Sequence, residues 1–401
     1  MILNKQPLNE SFTSTGQKLF HHQEAMQALR DGSGKPIHAW LAAHDICNHK
    51  CTFCSVGERP GDVLSFNIIK PYFETLASLG LKAVTLSGGG NSILYRCKET
   101  GADFNDLVDF LYGLGLQIGV ITNGMPMKEY HWDAKPMTWM EAVSTIHFPR
   151  FMGGKRVSWK SVRPETLDKM TWCRISMSGL DHNHKEQEVF VPDFDPSKTT
   201  LGFSWIMADS YEEPSHKHGW VSTVDDIRTP MENRKTVVAT DRLPWIEEQI
   251  RGYVERHSPA YVRLLSNCLE PRLIPERHRI LSDMAMRIDP NIVFSQNKPP
   301  RQPQKCWKVL PHPCLNADGW VYPCDSVVLN RDAGHKFGGA WRICQAYQIG
   351  ELYADPSKFD MPDGICPGCV FADQVDLLHS IVGGMETPIP TGAVPEHVNF
   401  V

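Results

Sequence analysis

The sequence has no apolar run long enough to span a bilayer, and its first ten residues, MILNKQPLNE, lack the apolar core of a secretory signal. The expectation is a cytoplasmic protein with no membrane partner. A strong charge of either sign is also missing. The formal net charge is −5 over 401 residues, so nothing at whole-chain level attracts nucleic acid. There is no internal repeat, no low-complexity tract, no P-loop, no dinucleotide fingerprint and no Ser–His–Asp pattern. These absences remove the commonest nucleotide-binding and hydrolytic chemistries.

What is present is an ordinary globular composition, 41% hydrophobic and 22% charged, on a chain long enough for one large domain and a smaller one. It carries twelve cysteines. In a reducing compartment, clustered cysteines point to metal rather than to disulfides.

Residues 1–36 are polar, with one helical stretch around His21 to Leu29, and are expected to be a lead-in segment. From 37 to 297 strands alternate with helices. His38 to Ala43, Ala83 to Leu86, Gln117 to Ile121, Cys173 to Met177, Gly202 to Met207 and Tyr261 to Leu265 read as strands. Ser65 to Leu79, Asp106 to Leu114, Trp245 to Arg256 and Glu276 to Met286 show helical spacing. Pro71 is tolerable only near a first turn, so the helix after Ser65 is expected to start a few residues late. Such alternation implies an α/β fold with a parallel sheet, open or closed as a barrel, with ligands at the carboxyl ends of the strands. The irregular segments 126–172 and 209–240 are expected to be rim insertions. KPPRQP at 298–303 reads as a linker, and 298–401 as a second unit holding six of the cysteines.

Residues 44–54 read HDICNHKCTFC, placing Cys47, Cys51 and Cys54 in a CxxxCxxC run just past a strand. Thiolates are soft ligands for iron–sulfur clusters or zinc. Three thiols with no fourth nearby would leave one iron of a four-iron cluster open. The alternatives are zinc completed by His44 or His49, or three unrelated thiols. The run resembles the signature of the radical SAM superfamily. That resemblance implies a partial (β/α)6 TIM-like barrel in which the open iron binds S-adenosylmethionine. There the [4Fe-4S] cluster cleaves it reductively to a 5′-deoxyadenosyl radical, which takes a hydrogen atom from the substrate. It also implies a low-potential electron donor such as flavodoxin or ferredoxin.

The strand VTLSGGG ends in Gly88, Gly89 and Gly90, where the family carries Gly-Gly-Glu against the methionine amino group; Gly90 departs from it. Phe53 matches the family's aromatic position beside adenine, with a plain core Phe as the alternative. Asn123 and Ser176 match positions that contact ribose or methionine, and Arg174 would pair with the carboxylate. Each is otherwise a strand-end polar residue. The resemblance spans about residues 38–296, and only the cysteine motif is specific to the family.

Cys306, Gly319, Cys324 and the CPGC at Cys366 and Cys369 form a second constellation, with NADGWVYP at 316–323 reading as a hairpin. Four thiolates suit a structural zinc or a closed cluster. Behind a radical SAM barrel the pattern resembles the SPASM extension in its short Twitch form, a small cysteine-rich α+β unit. That implies one auxiliary [4Fe-4S] cluster on Cys306, Cys324, Cys366 and Cys369, serving electron transfer, with Cys314 and Cys344 as competing ligands. His182, His184, His216 and His218 are expected to be solvated loop residues. Cys97, Cys173 and Cys268 are isolated; the latter two read as buried strand thiols, the sharper alternative for any of them being hydrogen-atom donation to a substrate radical.

The whole implies a radical SAM oxidoreductase or related radical-based modifying enzyme. Only 46 residues precede Cys47, which tilts the expectation toward a small, carbohydrate-like substrate. A peptide maturase is the first alternative, and a zinc-stabilised, non-catalytic interaction protein is the second.

Overall fold

Strand β1, His38–Leu41, opens a parallel run that continues through β2, Ala83–Leu86, β3, Gln117–Thr122, β4, Trp172–Ser176, and β5, Thr200–Met207. A short antiparallel pair follows, β6 at Asp209–Tyr211 with β7 at Thr236–Val238. The main sheet resumes with β8, Tyr261–Ser266, and β9, Val293–Gln296, both parallel to their neighbours. The computed structural model describes residues 8–49, 51, 54, 61–124, 162–180, 189–207, 209–211, 236–238, 240–267, 273–298, 301–325, 341–364 and 369–401.

Every residue of β2 is buried, as expected of a parallel strand covered on both faces. The outer face is covered by helices, among them α1, Phe66–Ser78, and α2, Phe104–Gly113. Helix α1 begins directly after Ser65, whose hydroxyl accepts from the Asn67 N–H, and Pro71 lies inside it. The late start expected from Pro71 does not occur. Pro71 and Asn67 are both exposed, so water can satisfy the carbonyl that proline leaves unbonded, while Ile69, Phe73 and Leu76 are fully buried.

Inward-facing residues of all seven strands, among them Trp40, Ile121, Arg174, Ile206, Arg263 and Gln296, line one cavity of ≈ 210 Å³. The sheet therefore curls around a lumen. The amino ends of the strands form its floor. There Phe12 stacks on Tyr261 at 4.5 Å between ring centres, and Phe400 meets Trp172 edge-on at 5.2 Å. His38 contacts the Val401 carbonyl (3.1 Å) and the Thr85 hydroxyl (2.8 Å), and burial holds it neutral with its pKa lowered to about 3. Leu19, Met26 and Leu29 of the first 36 residues are buried in the main core, so this segment is part of the packing rather than an appendage.

The second cysteine-rich segment joins the same sheet. Strand β10, Cys314–Leu315, adds in parallel to the free side of β1, with Trp40 opposite Cys314 and Leu41 opposite Leu315. Strands β11, Trp320–Tyr322, and β12, Cys344–Gln345, extend it antiparallel. The expected hairpin is present, with Gly319 at φ +80° in its turn and the Asp318 carboxylate accepting from the Trp320 N–H. No helix among the described residues is long and apolar enough to cross a membrane.

Candidate active site at the carboxyl ends of the strands

The loop leaving β1 carries Cys47, Cys51 and Cys54, all half-buried and none in a disulfide. Two backbone ties fasten it to the turn after β2: the Gly90 N–H donates to the His44 carbonyl (3.0 Å) and the Asn91 N–H to the Ile46 carbonyl (2.9 Å). The contact leaves no room for side chains. A Cβ on Gly90 would lie 1.8 Å from the Ile46 carbonyl oxygen, and one on Gly89, at φ +61°, 2.2 Å from that of His44. These two glycines are thus required by the cysteine loop itself, whatever ligand they also meet.

Beneath Cys47 lies a network of three amides that sequence reasoning found only in part. Asn91 donates to Asn123 Oδ1 (2.9 Å) and Asn48 Oδ1 (3.2 Å), and accepts from the Thr122 hydroxyl (2.8 Å). Asn123 donates to Asn48 Oδ1 (2.7 Å) and reaches the Cys47 sulfur at 3.7 Å. The His49 N–H also points at that sulfur, at 3.4 Å. The loop, the glycine turn and the end of β3 are locked together, and Cys47 receives two N–H donors of the kind that tune a metal-bound thiolate. Asn91 was missed; its position directly after the glycine run was the available signal. Asn91→Ala is expected to lower stability by about 1–3 kcal/mol, read from urea unfolding, because the buried Asn48 and Asn123 amides lose partners.

His44 accepts from the Ile46 N–H through Nδ1, and His49 Nδ1 bonds the Ser178 hydroxyl (2.9 Å), so each has one ring nitrogen engaged within the protein. Ser176 is half-buried at the end of β4, on the same strand face as Arg174. The Arg174 guanidinium carbon sits 5.8 Å from the Trp172 ring centre, toward the floor. Phe53, Cys268, Cys366 and the four loop histidines lie outside the described residues.

In the second constellation, Cys306 and Cys369 share one apolar cluster, packed by Val375 and Phe371. Burial pushes the Cys324 thiol well up, with Asp325, Cys306 and Cys369 adding to the effect, which puts these three cysteines in one neighbourhood. Cys344 lies instead in the main core, its pKa raised to about 12 by burial. Cys314 is fully buried beside Tyr322 and Trp341. Cys173 is buried and its pKa is raised, chiefly by desolvation. Among the described residues no three His, Cys, Asp or Glu side chains converge on a point suited to a single ion. A tetrahedral zinc draws its sulfurs to about 3.8 Å of one another. A four-iron cube gives each sulfur its own iron, and thiolate sets of three and four suit such clusters by ligand chemistry.

No family model and no curated protein matches the sequence. Among solved structures the chain is similar to SuiB of Streptococcus suis bound to its precursor peptide SuiA, at 10% identity over 88% of this chain and 73% of that one, with a TM-score of 0.47. It is also similar to anSMEcpe with bound AdoMet and Cp18Cys peptide, at 11% identity over 79% of each chain and a TM-score of 0.43. BtrN in complex with AdoMet and 2-DOIA gives 12% identity over 91% of this chain and 97% of that one, with a TM-score of 0.35.

Proposed function

We propose that the chain is a radical SAM enzyme. Cys47, Cys51 and Cys54 hold a [4Fe-4S] cluster with one iron left for S-adenosylmethionine, and Cys306, Cys324, Cys366 and Cys369 hold an auxiliary one. When bound, the first cluster with S-adenosylmethionine supplies a one-electron reductive cleavage that yields a carbon radical able to take a hydrogen atom. The observation that carries this is the placement of the CxxxCxxC loop, tied by Asn48, Asn91 and Asn123 across the carboxyl ends of β1, β2 and β3.

The residues of the chain have distinct tasks. The amide network orients Cys47, and Gly89 and Gly90 bring the β2 turn against the loop, while Gly88 packs over Trp40 and Ala42. Ser176 and Asn123 would position the nucleoside and methionine parts. The lumen walls hold the substrate below and exclude water. A lumen of this size, floored by Phe12 and Phe400, suits a small substrate better than a peptide. Anaerobic reconstitution is expected to give about eight irons per chain and 5′-deoxyadenosine formation with a chemical reductant. Zinc without iron would overturn the proposal in favour of a zinc-stabilised interaction protein.

A further inference from the structure

The lumen is cationic, and among the described residues its arginines are only partly hydrogen-bonded. Arg174 and Arg263 project into it from β4 and β8, and Lys298 joins them just beyond β9. The Nε atoms of both arginines are buried without a hydrogen-bond partner. Arg263 makes one protein hydrogen bond, from Nη1 to Gln296 Oε1 at 3.0 Å. Asp325 is the one acidic side chain among the described lining residues; it forms no ion pair there, and its Oδ1 is buried and unbonded.

With Lys18 also on the lining, four cations against one carboxylate, enclosed by protein, is an expensive arrangement unless something neutralises it. Lys298 is held down to about 7 by burial and then by Arg263, and Arg263 is pushed well below its usual value by burial and then by Arg174. Phe371, 4.7 Å from Lys298, offers that ammonium only a ring face. Both Arg263 and Lys298 retain accessible surface although protein surrounds them, so that surface faces the lumen.

Arg174 also stands apart from the mouth. It precedes Ser176 by two residues, about 7 Å deeper along the strand, and its guanidinium lies beside Trp172 and the Tyr261 hydroxyl, both floor residues. That places it away from the carboxylate-binding role expected at the strand end.

We propose that the lumen receives an oxyanion carried by the substrate, a carboxylate or a phosphate, clamped between the Arg174 and Arg263 guanidiniums with Lys298 beside them. Guanidinium forks match the planar edge of either anion, and the enclosed setting strengthens each contact. This rests on the enzyme reading above for the identification of the anion with substrate, while the site itself rests on the side chains alone.

The test uses the iron-reconstituted full chain at low ionic strength, titrated separately with inorganic phosphate and with acetate, with sodium chloride as control. Thermal midpoint and tryptophan fluorescence are the readouts, since Trp40 and Trp172 line the lumen. A saturable response to phosphate or acetate is expected in the wild type, weakened at least about tenfold by Arg263→Gln and by Arg174→Gln. Arg263→Lys is expected to keep part of it. Response to one anion alone tells a phosphate ester from a carboxylate. Absence of saturable response to both, or equal binding by well-folded glutamine variants, overturns the proposal. If either variant fails to fold by circular dichroism, the other and Lys298→Gln decide in the same way. Formation of 5′-deoxyadenosine by the wild type is measured in parallel. Cleavage without anion response removes the clamp and leaves the enzyme; anion response without cleavage supports the clamp and removes the enzyme.

Discussion

Replacing Cys51 with alanine is expected to bring 5′-deoxyadenosine formation down to the level without protein and to lower iron from about eight to about four per chain. The loop supplies three thiols, and losing one leaves two where a four-iron cluster open at a single iron needs three. Cys324→Ala should cost a similar amount of iron and yet leave much of the cleavage, because that thiol belongs to the other constellation, with Cys306 and Cys369. Equal loss of cleavage in the two variants would refute the division of labour between the clusters.

Gly90→Ala is expected to be nearly as damaging, although it removes no ligand. The added carbon would lie 1.8 Å from the Ile46 carbonyl oxygen, 2.4 Å from its carbon and 2.7 Å from the Ile46 nitrogen. All three are backbone atoms, one residue from Cys47, and moving them breaks the ties that Gly90 and Asn91 make to the loop. A loss of more than about 4 kcal/mol, or a folded protein that fails to take up half its iron, is the expected result. Gly113→Ala, at the end of α2 with nothing within 4 Å of the new carbon, is the control and should unfold at or above the wild-type midpoint. A Gly90→Ala protein with full iron and unchanged unfolding would show that the loop is not held as described.

Much of the barrel was legible because its signals are local. The alternation of Ala83 to Leu86 and Gln117 to Ile121 with helices of clear period marks a parallel sheet, and observed strands differ from expectation by a residue or two at their ends. Strand β9 was not read, since Val293–Gln296 is short and follows a helix without a glycine turn. The helix start at Phe66 was misjudged because sequence cannot show that Pro71 faces water. The partnership of Asn48, Asn91 and Asn123 was illegible for a different reason. Three residues spread over 76 positions meet only because neighbouring parallel strands end side by side. The cation cluster shares that origin: Arg174 and Arg263 are 89 positions apart and become neighbours through the curl of the sheet.

The seam between β1 and β10 has an evolutionary consequence. Two residues on each strand, Trp40 with Cys314 and Leu41 with Leu315, splice the far end of the chain to its first strand. Insertions in the loops between them would leave this splice intact, since loop length changes closure entropy only slowly. A shift of one position within the splice would instead turn Cys314 from one face to the other and carry the following hairpin with it. Related chains are therefore expected to differ widely in the rim and hardly at all in the alignment of these four residues.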